Sequence, residues 1–422
     1  MSSASRAAFS YPSFRYFQMA RFLIVSAMEM QSVAVGWQVY EITRRPLDLG
    51  LVGLAQFLPG FLLFLLAGHT ADRLPRNRIV AVCYCGFALC SLLLFTFTVH
   101  GVSSVRPIYI VVTCIGVVRA FNGPAGQSLM PQLVSAQDFP NAAAWSSSIF
   151  NAAVVLGPAL GGVLYAWTGG AKIVYLIAAT SFLCASVSAL FIKTNTQLRP
   201  RETASLRTVL AGFDYLWHNQ IVLGAISLDL FAVLLGGAVA LLPVYAREIL
   251  KVGPWGLGIL RSAPGAGAIV MALLLAYRPL RRRAGAVMLW CVTAFGLATI
   301  VFGLSRSVPL SLFALLMCGA SDMVSVIIRS TLVQLNTPDE MRGRVSAVNM
   351  LFIGASNEFG QFESGITAQW LGTVPAVVWG GIGTLAVVAI WARLFPRLRK
   401  VDSLTTQPAA QMAESAITAD PN

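Results

Sequence analysis

Gly68-His69-Thr70-Ala71-Asp72-Arg73-Leu74-Pro75-Arg76-Asn77-Arg78 separates two long apolar runs, and its reading decides the fold. The runs on either side, residues 48–70 and 78–99, each match the roughly 20 apolar residues that carry a helix across a bilayer core of about 30 Å. Arg73, Arg76 and Arg78 crowd the break between them. Lys and Arg gather in the cytoplasmic loops of membrane proteins, so the stretch reads as a tight cytoplasmic turn joining two spans. Gly68 permits close approach of another helix, and Asp72 sets a carboxylate at the same surface. An ordinary stop-transfer cluster is the plainer alternative.

The rest of the chain has the composition such a turn implies. Hydrophobic residues make up 57% of its 422 residues and charged residues 11%, against roughly a quarter charged in soluble domains. Mean hydropathy is +0.73. In a soluble protein a net charge of +13 would suggest a nucleic-acid partner. No basic stretch here is long enough, or interleaved with aromatics, to hold a strand, so none is expected. The seven cysteines lie within apolar runs, where a thiol acts as a small apolar group; neither disulfides nor a metal follow. His69, His100 and His218 are scattered and offer no acid-base cluster, so an enzyme is not expected. A phosphate loop of the Gly-x-x-x-x-Gly-Lys-Ser/Thr type is absent from the sequence. No cofactor is expected.

Twelve segments have the length and apolarity of spans: 18–41, 48–70, 78–99, 107–129, 145–166, 172–192, 221–245, 255–277, 285–304, 309–332, 344–368 and 374–394. The longest polar stretch between them, 193–220, falls near the middle. The expected organisation is a six-helix half over 1–192, a cytoplasmic linker over 193–220, a second half over 221–400 and a disordered tail over 401–422. With the N-terminus inside, 19 of the 30 Lys and Arg fall in cytoplasmic segments and 7 on the other side. Arg21, Arg119, Arg261 and Arg329 lie in or at the edges of spans. Both termini are therefore predicted to be cytoplasmic. No cleavable leader is expected, so the first segment serves as targeting signal and permanent span.

Two matches at nearly one offset point to duplication. Gln132-Leu133, then Asp138 and Phe150, parallel Gln334-Leu335, then Glu340 and Phe352, at an offset of 202. Pro59-Gly60 parallels Pro264-Gly265 at 205. Parallel six-span repeats place the substrate path between the halves, near the bilayer midplane. A contact there that forms in one conformation and breaks in the other acts as a gate. Asp72 can make one with the N-terminus of the eleventh segment, near Gly343-Arg344, because a helix N-terminus carries about half a positive charge.

Several motifs resemble the major facilitator superfamily. The quoted turn is similar to its signature between spans two and three. Gly157-Pro158-Ala159-Leu160-Gly161-Gly162 looks like the core of its exporter and antiporter motif, although Ala153 stands where a glycine is expected. There proline bends a helix and the glycines let another pack closely. Arg119-Ala120-Phe121-Asn122-Gly123 resembles the arginine motif of span four, tied in the superfamily to proton coupling. Gln334 through Val345, then Ser356-Asn357-Glu358 and Glu363-Ser364-Gly365, together with Gly36-Trp37-Gln38-Val39-Tyr40, resemble the enterobactin-exporter and macrolide-efflux branch. The resemblance runs from about residue 12 to 395. It implies an all-α membrane protein of twelve helices in two pseudo-symmetric bundles, in a bacterial inner membrane. It also implies a gate of Gly68, Asp72, Arg73, Arg76, Arg78 and Arg344.

In this superfamily spans one, four, seven and ten line the cavity, and here each carries one charge at depth: Glu29, Arg119, Asp229 and Asp322. A charge inside a span costs at least about 2.5–3.5 kcal/mol on insertion scales and is a functional hypothesis by default. Burial favours the protonated carboxyl unless a cation stands close. Glu29 and Asp322, near mid-span, are the expected proton carriers, with Arg119 as partner or as electrostatic reset. Asp229 reads equally as a solvated rim residue, and Arg329 as a snorkelling one. Glu358 and Glu363 are five apart, on different helix faces, and Glu358 is a further coupling candidate. Gln31, Gln38, Asn122, Phe231 and Asn349 are candidate substrate contacts. The leading expectation is a monomeric, proton-coupled exporter of a small organic molecule such as a drug or siderophore. An importer by symport on the same fold, a membrane-embedded enzyme and a non-transporting sensor are the alternatives.

Overall fold

The computed structural model describes residues 3–193, 206–278 and 282–402, and among these it is helical with no strand. Every predicted segment falls on helix. Ten helices among the described residues are long and apolar enough to cross a membrane. They are span one (Pro12–Thr43), three (Arg76–Val99), four (Arg106–Leu129), five (Phe139–Thr168), six (Lys172–Leu190), seven (from Gln220), eight (Gly253–Tyr277), nine (Ala284–Leu304), ten (Val308–Leu335) and twelve (Thr373–Leu394). Span two is a shorter apolar helix, Pro46–Leu62, interrupted at Leu63 and continued by Phe64–Arg73. Span eleven, Asp339–Leu371, is unbroken but less apolar, because it carries Asn357, Glu358, Gln361 and Glu363. Span seven is not one continuous helix: it breaks at Gly237 and reaches Ile249 through short turns ending in a π-helical one. The freed Gly237 carbonyl accepts from Ser364 Oγ at 3.2 Å, which is how a broken span is tolerated.

The two halves are wired alike. In the first, span one packs on five and six, three on four and six, and two on four. In the second, span seven packs on eleven and twelve, nine on ten and twelve, and eight on ten. Each pairing recurs six spans later. Tyr175, Phe87 and Phe182 fill the first core, and Leu228, Met288 and Ile328 the second. Within the stretch read as a linker, Leu206–His218 is a helix docked on the start of span eleven. There Tyr215 Oη donates to the Asn336 carbonyl at 2.5 Å. The expected disordered tail lies outside the described residues, apart from 401–402.

Both ends of the described chain lie on one face, here the terminal face. Ser13 Oγ donates to the Lys193 carbonyl at 3.2 Å, and Arg283 N donates to Asp402 Oδ1 at 2.9 Å. The halves meet along two seams, span two with eleven and span five with eight. On the distal face they are also clasped. Tyr40 donates to Glu248, Arg247 Nη1 lies 3.5 Å from Glu41, and the Arg247 guanidinium sits over the Trp37 ring at 5.3 Å. On the distal face the halves are therefore closed against each other.

Candidate functional site

Two ion pairs cross the space between the halves. Glu29 Oε2 of span one lies 3.7 Å from Arg261 Nε of span eight. Arg119 Nη1 of span four lies 3.6 Å from Glu358 Oε1 of span eleven. The other Glu358 oxygen accepts from Gln361 Nε2 at 3.2 Å and lies against Gly53 of span two. Arg261 is close enough to act on Glu358 as well. Four charges of alternating sign, Glu29, Arg261, Glu358 and Arg119, thus join four spans across the interface and sum to zero. The Glu358 side chain is 15% exposed and that of Arg119 56%, so the carboxylate is set in the wall while the guanidinium reaches into the open space. A rocking motion of the halves must stretch or exchange these pairs. Uptake of a proton by either carboxylate, or arrival of a charged cargo, unbalances the set.

Several expected residues lie elsewhere. Arg119 pairs with Glu358 and with neither of the expected carriers, Glu29 and Asp322. Asp322 faces a small cavity inside the second half together with Asp229. Asp229 is buried and in contact with Arg329, so neither the rim reading of the first nor the snorkelling reading of the second holds. Among the candidate substrate contacts, Gln31 accepts from Ser91, and Gln38 donates to Thr98 at 3.0 Å and accepts from Tyr175 at 2.7 Å. Both are occupied within the first half. Phe231 packs on Trp391 of span twelve at 5.2 Å between ring centres. Asn122 and Asn349 each keep a buried Oδ1 with no hydrogen-bond partner. Glu363 accepts from Thr367 at 2.8 Å.

The glycine-proline stretch of span five forms the seam itself. A Cβ at Gly157 would lie 2.7 Å from Glu29 Cβ, and one at Gly161 2.8 Å from the Met30 carbonyl. At Gly162 it would lie 2.5 Å from the Pro254 carbonyl, and the Pro158 carbonyl meets Gly258 reciprocally. The helix continues through Pro158. On the terminal face, Arg73 and Arg78 are exposed, Gly68 is half-buried, Arg76 begins span three and Arg344 Nη1 donates to Met341 Sδ at 3.5 Å. The Asp72 side chain lies outside the described residues. Asp72→Asn is expected to leave expression near wild type and lower transport about tenfold, the rate equivalent of about 1.4 kcal/mol; wild-type flux would remove the gate argument.

Sequence reading passed over Arg261 and the distal clasp. Arg261 carried the same signal as Arg119, a charge inside an apolar segment. Tyr40, Glu41, Arg247 and Glu248 sit at segment ends, where charge is cheap and gives no signal.

Two like-wired helical halves, with opposed charges paired between them, define a transporter of the major facilitator type. The chain matches the model of the transmembrane secretion effector family over residues 3–421, and it belongs to that family. It is 27% identical over 345 residues to the enterobactin exporter EntS of Shigella boydii serotype 4, covering 80% of this chain and 81% of the relative. The enterobactin exporter EntS of Escherichia coli O81 matches equally. Among solved structures, an inward-facing bacterial homolog of the human lysosomal transporter Spinster aligns with TM-score 0.70 at 13% identity, over 92% of this chain and 99% of that one. A bacterial homologue of the iron transporter ferroportin aligns with TM-score 0.67 at 16% identity, with the same two coverages. These two show the fold. The chain is a multi-pass membrane transporter and not an enzyme.

Proposed function

We propose that this protein is a proton-coupled exporter of a small organic molecule, working by alternating access as a monomer in a bacterial inner membrane, with both termini cytoplasmic. The observation that carries the reading is the charge set Glu29–Arg261 and Arg119–Glu358 spanning the interface. With the terminal face in the cytoplasm, as the distribution of Lys and Arg supports, the distal clasp shuts the conformation to the outside. Cargo enters between the halves, where the Arg119 guanidinium reaches into the open space. Release outward requires the distal clasp to part. A proton entering from outside neutralises Glu29 or Glu358, frees its arginine and favours the return. The likeness to enterobactin exporters supports export and a siderophore or drug as cargo.

Inverted membrane vesicles test direction and drive together. Uptake of labelled enterobactin, or of a drug found by a susceptibility panel, is expected to rise under an inside-acid gradient; uptake abolished by that gradient counts against export. In the same vesicles Glu29→Gln is expected to weaken the dependence of rate on pH more than the apparent affinity for cargo. Proton coupling unchanged in Glu29→Gln would move the role to Glu358.

A further inference from the structure

The helix Leu206–His218 does more than connect the halves. Its inner face packs on the second half: a Cβ added at Gly212 would lie 2.9 Å from the Arg344 carbonyl, and Leu216 is buried with Val222, Val333 and Val348. Its outer face leaves Leu210 64% and Trp217 76% exposed, two turns apart. A Trp at the end of a span is an interfacial anchor, and Trp217 stands just before span seven begins at Gln220. At that junction a cavity of about 370 Å³ opens between this helix, the start of span seven, the end of span ten and the helix Pro396–Arg399. Its frame is a closed network. Tyr215 Oη and Asn219 Nδ2 both donate to the Asn336 carbonyl, and Asn219 Oδ1 accepts from Val222 N at 3.2 Å.

The groups left over in the wall are donors. The Arg397 guanidinium and the Gln220 amide have no hydrogen-bond or ion-pair partner among the described residues. His218 Nδ1 donates to the Asp214 carbonyl at 2.8 Å, which leaves Nε2 unused. The acidic neighbour, Asp214, is exposed, and its carboxylate lies 3.7 Å from that same Nδ1. Arg397 is placed by its own chain rather than by an anion: Leu398 is buried against Gly285, and the Phe395 ring abuts Gly224 of span seven. We propose that this cavity binds the headgroup of an anionic phospholipid, with the phosphate on Arg397 and the headgroup hydroxyls on Gln220 and His218. A guanidinium takes a phosphate through two parallel hydrogen bonds, and basic pockets between spans hold such headgroups. The acyl chains follow the apolar surface of Ile221 and Trp217. That exposed surface favours a lipid over free phosphate, and a choline headgroup would set its ammonium against Arg397. The site lies apart from the charges between the halves, and its occupancy does not rest on the proposed transport reaction.

Native mass spectrometry of the purified full-length protein, titrated in detergent with phosphatidylglycerol or phosphatidylcholine of the same acyl chains, tests the site. Wild type is expected to hold one phosphatidylglycerol about tenfold more tightly than phosphatidylcholine. Arg397→Gln is expected to remove that preference, and Arg397→Lys, which keeps the charge without the fork, to retain part of it. Arg399→Gln removes the same charge two residues on and is expected to bind as wild type does. Arg397 has no partner to lose, so the thermal unfolding midpoint of Arg397→Gln without lipid is expected to match wild type. Inorganic phosphate is the second arm and is expected not to displace the lipid. The proposal is overturned if the two lipids bind wild type alike, if Arg397→Gln keeps the preference, or if Arg399→Gln loses as much. Displacement of the lipid by inorganic phosphate would overturn it too, by assigning the site to the free anion.

Discussion

Arg119→Glu is expected to lower transport at least tenfold, and Arg119→Glu with Glu358→Arg to recover most of the loss. The single change sets two carboxylates where opposite charges now stand 3.6 Å apart. At an effective dielectric of 20 a unit pair at 4 Å is worth about 4 kcal/mol. Arg119 is more than half exposed, so solvent screening takes away most of that. A residue of about 1.4 kcal/mol already costs tenfold in rate. The exchanged pair restores the sign pattern along Glu29, Arg261, position 358 and position 119 only in part, because Arg261 then faces a cation. Recovery to within about threefold is therefore expected, with a coupling energy in the range of about 0.5–3 kcal/mol seen for contacting residues. Initial rates in inverted vesicles for the two single variants and the double give the cycle. A double variant as slow as Arg119→Glu alone would show that the pair does not act as a unit.

What the sequence disclosed follows from which costs are large. Burying some 20 residues in hydrocarbon demands apolarity throughout, so every segment read as a span falls on helix, and ten helices among the described residues are long and apolar enough to cross a membrane. A charge at mid-span is expensive, so Glu29, Arg119, Asp229 and Asp322 stood out. Partners did not, because pairing depends on which helix faces which, and a lone chain does not print that. Asp322 and Arg119 sit on spans assigned to one cavity, yet span ten turns Asp322 inward to Asp229 while Arg119 reaches span eleven. Gln31 and Gln38 looked like free amides for the same reason; their partners Ser91, Thr98 and Tyr175 come from spans three and six. The interruptions at Leu63 and Gly237 were hidden as well. Neighbouring side chains such as Ser364 satisfy the freed carbonyl, so no polar residue need mark the break.

Gly162→Leu and Gly258→Leu are each expected to abolish transport, whereas Gly170→Ala, whose added carbon would meet no atom within 4 Å, is expected to behave as wild type. At the seam the two backbones touch. An added Cβ at Gly258 would stand 2.5 Å from the Pro158 carbonyl and 3.0 Å from Gly162 Cα, and one at Gly162 2.8 Å from Gly258 Cα. These neighbours are main chain and cannot rotate away, so spans five and eight must separate. Overpacking of this kind costs about 1–3 kcal/mol in a core. Its consequence here exceeds its cost in stability, because the seam also sets a distance. Span five holds span one through Gly157 and Gly161, and span one carries Glu29 to Arg261 on span eight. Widening the seam by the breadth of a side chain takes Arg261 beyond reach of Glu29, a pair that stands at 3.7 Å. Thermal unfolding in detergent and vesicle transport separate the two effects: the midpoint is expected to fall modestly while flux is lost. Wild-type flux in Gly162→Leu would mean that the halves do not turn about this contact, and that Glu29 and Arg261 need not stay within reach.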